Sequence, residues 1–147
     1  MLLLAGSFTS CTEKEKYEQI PFIQVAKGSL PQCGDYCVYQ KINAIFTFEE
    51  EWERFKTAID RDSKVTDGFS ETEIDFDKNQ IIAIIGEFRT YVWDINITCI
   101  TEYSDKIVVT VTEENTKGIT FPSETQPYQI IKIPILTKRV EFKYVSK

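Results

Sequence analysis

Cys11 is the residue whose placement implies the most definite chemistry. Leu2-Leu3-Leu4-Ala5-Gly6 leads into Phe8-Thr9-Ser10-Cys11, and the charged stretch Glu13-Lys14-Glu15-Lys16 follows at once. An apolar run, small residues, a cysteine and a polar tether form the pattern of a bacterial lipoprotein signal, in which the thiol is acylated and heads the mature chain. On this reading residues 1–10 are a truncated signal peptide, 11–20 a charged tether and 21–147 a single domain. Acyl chains on Cys11, at ~0.8 kcal/mol per buried methylene, then hold the protein to a membrane. The apolar run falls well short of the about 20 residues that a spanning helix needs. Two features depart from the usual pattern: no Lys or Arg precedes Lys14, and Phe8 stands where such signals commonly have Leu. The competing reading is a plain soluble protein with an apolar N-terminus and a free cysteine. The expected location is a bacterial cell envelope, on a periplasmic or outer-membrane surface.

Three further cysteines remain. Cys33 and Cys37, in Cys33-Gly34-Asp35-Tyr36-Cys37, are spaced to close a small loop, and an oxidising envelope would permit a disulfide there. Without redox information a disulfide and two thiols both stay open. Cys99 falls on the apolar side of an alternating segment and is expected as a buried free thiol. Thiolate metal binding would need more ligands at regular spacing. No metal or cofactor is expected.

The chain has no histidine. That removes the Ser-His-Asp triad, the Cys-His dyad and the usual zinc ligand together. Carboxylate chemistry is still available: Asp75 and Asp77 are two apart, which in a strand would put both on one face. They flank Phe76 beside Lys78, more in keeping with a strand edge than with an acid/base pair. A non-catalytic protein is expected. The net charge of −6 and the lack of any basic cluster argue against nucleic-acid binding.

These residues need a frame, and the pattern supplies one. The 42% hydrophobic content is enough for one genuine core in a chain of 147 residues. Pro21 to Lys27 reads as a first strand ended by Gly28, and Val38 to Phe46 as a second. A helix is expected over 47–60. Thr47-Phe48-Glu49-Glu50 has the form of a capping box, and Phe48, Trp52, Phe55 and Ile59 share one face. Asp60 to Thr72 is a polar loop. Gln80 to Ile85 is a continuous apolar run, as in a strand buried on both faces. Tyr91 to Ile100 alternates, Ser104-Asp105 turns the chain, and Lys106 to Thr112 is a hairpin partner. A polar loop over 113–125 precedes strands at Tyr128 to Ile135 and Arg139 to Val145. The expected class is α+β, mainly β: an antiparallel sheet or sandwich-like domain of about seven strands with one early amphipathic helix.

The order of these features resembles the PrcB C-terminal domain family, small secreted or lipidated bacterial proteins. The resemblance spans roughly residues 47–142. It rests on the helix with Trp52, then Glu73-Ile74-Asp75-Phe76-Asp77-Lys78, then Ile95-Asn96-Ile97-Thr98, and finally Gln126-Pro127-Tyr128 with Ile131-Lys132-Ile133-Pro134. The family commonly has a Gly-Gly-Tyr turn where this chain has Tyr91-Val92-Trp93. The resemblance implies a non-catalytic lipoprotein that associates with a surface protease complex and supports its stability.

Together these readings lead to an envelope lipoprotein that binds or stabilises a partner protein. Tyr91, Trp93, Gln126 and Tyr128, with the loop over 113–125, are the expected contact surface, although Trp93 shares the side of Ile95 and Ile97 and so is expected in the core. The alternative is a small-molecule, peptide or glycan module in which Tyr91, Trp93 and Tyr128 stack on the ligand.

Overall fold

The computed structural model describes residues 17–31, 38–115 and 124–147. The expected α+β, mainly β class holds, and the sheet is divided in two. One sheet has the order β1-β5-β6-β8 and the other β2-β7-β4-β3. The strands are β1 (Glu18–Gln19), β2 (Ile23–Ser29), β3 (Ile42–Phe46), β4 (Asn79–Ile85), β5 (Trp93–Glu102), β6 (Ile107–Asn115), β7 (Pro127–Pro134) and β8 (Val140–Ser146). A helix, α1 (Glu49–Ile59), and a 3-10 turn over Val65–Gly68 lie between β3 and β4. No helix of the described residues is long and apolar enough to cross a membrane.

Two apolar layers result. Ile82 and Ile84 of β4 and Ile131 and Ile133 of β7 meet Ile95, Ile97 and Ile100 of β5 and Val109 and Val111 of β6 between the sheets. On the opposite face of β4 and β7, Ile81, Ala83, Ile85, Tyr128 and Ile130 pack under Trp52, Ile59, Phe69 and Tyr39. This is why β4 reads as an unbroken apolar run: both of its faces are covered. All pairings are antiparallel except β6–β8, which is parallel because the chain returns from β7 to the first sheet to form β8.

The helix starts one residue later than the capping-box motif suggests. Its N-cap is Phe48 and not Thr47, and Glu51 rather than Glu50 reaches back, its Oε1 accepting the backbone N–H of Phe48 at 3.2 Å and of Thr47 at 3.0 Å. Phe48 is consequently exposed, and Trp52, Phe55 and Ile59 alone form the inward face. The tether also joins the domain earlier than expected: Glu18 and Gln19 pair with Glu102 and Thr101, upstream of residue 21. Gly28 lies inside β2 and does not end it; a Cβ there would stand 3.5 Å from the Tyr128 ring, an ordinary contact.

Cys99 is buried as expected, at 6% exposed, but the side of the sheet it lies on and its free thiol need correction. A bulge between Ile97 and Cys99 adds one residue to β5, so Ile97 and Ile100 both face the core and Cys99, opposite Thr110, faces away from it. Its sulfur is in a disulfide and is no free thiol. The partner cysteine lies outside the described residues, as do Cys11, Cys33 and Cys37. The bulge frees the Ile97 amide from the ladder, and buried Gln129 of β7 accepts it at 2.6 Å while donating to Gln24 at 3.0 Å.

Candidate functional site

Gly86, Trp93 and Pro127 bring the end of β4 and the starts of β5 and β7 to one end of the sandwich. Gly86 N–H donates to the Pro127 carbonyl at 2.8 Å, and Arg89 and Thr125 form a reciprocal backbone bridge at 2.9 and 3.0 Å. These bonds hold the segment 86–92 against the start of β7.

Arg89 organises what this segment presents. Its guanidinium lies 3.6 Å from the centroid of the Trp93 ring and 5.7 Å from that of Tyr91. It also pairs with Glu87 at 2.6 Å and with Glu113 at 3.7 Å. Burial opposes the guanidinium charge, but the hydrogen bond and attraction of Glu87, with Tyr91 and Glu113 beyond it, hold Arg89 above its ordinary pKa. Reciprocally, the hydrogen bond and charge of Arg89 hold the Glu87 carboxyl below the usual carboxylate range. Tyr91 is thus an exposed ring (46%) beside a fixed cation. Tyrosine and arginine are the residue types most often found at energetic centres of protein interfaces, with tryptophan. Val38, 41% exposed, lies one residue from Tyr39, which is tied to this same end.

Of the four residues expected at a contact surface, the structure brings all to this region but exposes only Tyr91. Trp93 is 3% exposed and forms part of the inter-sheet core, as its alternation with Ile95 implies. Its indole N–H has no hydrogen-bond partner among the described residues. Tyr128 points to the helix-covered face of the second sheet, and burial pushes its phenol up. Gln126 is fully buried and works as a clamp: Oε1 accepts Tyr39 N–H at 2.9 Å, and Nε2 donates to the carbonyls of Tyr39 at 2.6 Å and Gly86 at 3.1 Å. An aromatic platform of Tyr91, Trp93 and Tyr128 is therefore not formed, and the small-molecule reading loses its basis at this end. In the loop over 113–125, residues 116–123 lie outside the described residues, Glu113 extends β6, and Thr125 bridges Arg89.

Asp75 and Asp77 do not form a strand pair. They occupy the turn before β4, where Asp75 Oδ1 accepts the Asp77 N–H at 3.0 Å and the Asp75 carbonyl accepts the N–H groups of Lys78 and Asn79. Both are exposed, and their proximity is that of a side chain closing its own turn. Among the described residues no group of three His, Cys, Asp or Glu side chains is placed to hold a metal ion. Arg89 was missed in the sequence because nothing in Glu87-Phe88-Arg89 announces a stacked cation; the stacking depends on the turn back into β5.

Gly86 has a packing reason to lack a side chain. A Cβ there would stand 2.8 and 2.9 Å from Trp93 ring carbons and 3.2 Å from Pro127 Cγ. The ring is wedged between the sheets and has little freedom to retreat. Gly86→Ala is expected to lower stability by about 2 kcal/mol, read as a shift in the urea midpoint. An unchanged midpoint would show that the indole moves aside.

Compared with known protein families, curated proteins and solved structures, the chain matches none.

Proposed function

We propose that this protein is a non-catalytic lipoprotein of a bacterial cell envelope that binds or stabilises a partner protein through the sandwich end carrying Tyr91. The observation that carries the reading is that ring: half-exposed, beside a cation that two carboxylates and the Trp93 face hold in place. A pre-positioned tyrosine loses little freedom on binding. The remaining support is indirect. A disulfide at Cys99 suits an oxidising compartment such as an envelope. The lack of histidine and the acidic charge suit a binding protein better than a hydrolase or a nucleic-acid binder. The resemblance to the PrcB C-terminal domain family suggests a surface protease complex as the partner.

The anchor part of the proposal has its own check. Acylation of Cys11 leaves only Cys33 or Cys37 to bond Cys99. Peptide mapping that found a Cys11–Cys99 disulfide would overturn the anchor and leave the binding surface standing.

The binding part is tested by cross-linking the full-length protein in its own envelope and comparing it with Tyr91→Ala. The expected result is a reproducible protein partner whose recovery falls about tenfold or more in the variant, the usual effect of removing an aromatic at the centre of an interface. Equal recovery with both proteins would overturn it.

A further inference from the structure

At the far end of β5 from Trp93, about 30 Å away along the strand, a cleft of about 330 Å³ is lined by Tyr17, Glu18, Glu102, Tyr103, Ser104 and Lys138. Two features of it call for an outside cation. Glu18 and Glu102 stand directly opposite each other where β1 pairs with β5, an arrangement in which like charges repel. Lys138 neutralises one of them: its Nζ lies 2.8 Å from Glu102 Oε2 and donates to the Tyr103 carbonyl at 2.7 Å. Glu18 is exposed and has no ion pair among the described residues. Beside these carboxylates the Tyr17 and Tyr103 rings, with centroids 6.1 Å apart and planes at 47°, form two walls of an angled aromatic corner.

We propose that this cleft receives a basic side chain, lysine or arginine, displayed by the partner protein. A cation entering it gains the Glu18 carboxylate, which Lys138 leaves unpaired, beside the Tyr17 and Tyr103 rings that line the cleft. The net charge of the protein, −6, favours approach of a basic surface. This inference rests on the reading of the protein as a partner-binding domain, and it gives that partner a chemistry: a basic patch about 30 Å from the Tyr91 contact.

The test is an NMR titration of the whole protein with acetylated, amidated Gly-Lys-Gly and Gly-Arg-Gly, with Gly-Gln-Gly as the uncharged control. Saturable shifts of the Tyr17 and Tyr103 ring signals are expected at millimolar concentrations of the basic peptides, and none with the control. Glu18→Gln is expected to weaken binding about fivefold, the range of a single exposed ion pair. Glu18 is exposed at a strand edge, so the variant should retain the wild-type unfolding transition. Equal shifts with Gly-Gln-Gly, no shifts with any peptide, or unchanged affinity in Glu18→Gln would each overturn the proposal. The two readings fail separately: a silent cleft with Tyr91-dependent partner recovery ends only this one. Loss of Tyr91-dependent recovery with a responsive cleft ends only the placement of the contact at Tyr91.

Discussion

Replacement of Trp52 by Ala is expected to destabilise the protein by about 4 kcal/mol, a large part of the roughly 5–15 kcal/mol that holds a domain of this kind together. Trp52 is 1% exposed and is the centre of the layer beneath α1. Its ring meets Phe46 at 6.1 Å, Phe55 at 5.9 Å and Phe69 at 6.0 Å. Its Nε1–H donates to the Thr72 carbonyl at 2.8 Å, which ties the loop after the helix back to the core. Lys56 lies over the same ring and donates to the same carbonyl at 3.1 Å. Alanine removes the ring, its three aromatic neighbours' packing and the loop tie together. Trp93 is the other tryptophan, so its fluorescence reports unfolding of the variant cleanly. A loss under about 1 kcal/mol would mean that the helix packs on the sheet without its central ring.

Gln126→Leu should be nearly as damaging, at about 3 kcal/mol, although it replaces a polar side chain by an apolar one in a buried place. The reason is what the amide leaves behind. Tyr39 N–H, the Tyr39 carbonyl and the Gly86 carbonyl all depend on it for a hydrogen bond. Burying such groups without a partner costs roughly 1–3 kcal/mol each, partly recovered by other acceptors or by the extra apolar contact. The loss should also loosen the Tyr91 end, because Gly86 and Arg89 leave β4 at that point. Hydrogen exchange at the amides of Gly86 and Arg89 is therefore expected to accelerate more than at Ile82. Uniform acceleration, or a change under about 1 kcal/mol, would show that Gln126 is a passenger.

Much of the frame was legible because it is local. The run Ile81 to Ile85 is apolar on every residue since helix and sheet cover opposite faces of β4. Trp52, Phe55 and Ile59 recur at helical spacing since α1 has one neighbour to cover. What was not legible depends on distant pairing. The bulge after Ile97 is invisible in an alternation count, yet it turns Cys99 from the core side to the outer side and gives Ile97 N–H to Gln129 of another sheet. Glu18 and Gln19 look like tether because only their pairing with β5 makes them a strand. The site divides the same way. Tyr91 was singled out as a contact aromatic, although the alternation put it in the strand on the side of Trp93, and the strand begins only at Trp93. Gln126 looked like a surface amide because its three partners come from residues 40 and 87 positions away. Tyr17 and Tyr103 showed no sign of meeting across β1 and β5.

The most direct test of the central claim is photo-cross-linking in living cells from a benzoylphenylalanine placed at position 91 of the full-length protein. Binding through this end predicts one discrete, light-dependent adduct with another protein, absent when the same group is placed at exposed Glu49. No adduct at position 91, or the same adducts from both positions, would contradict it.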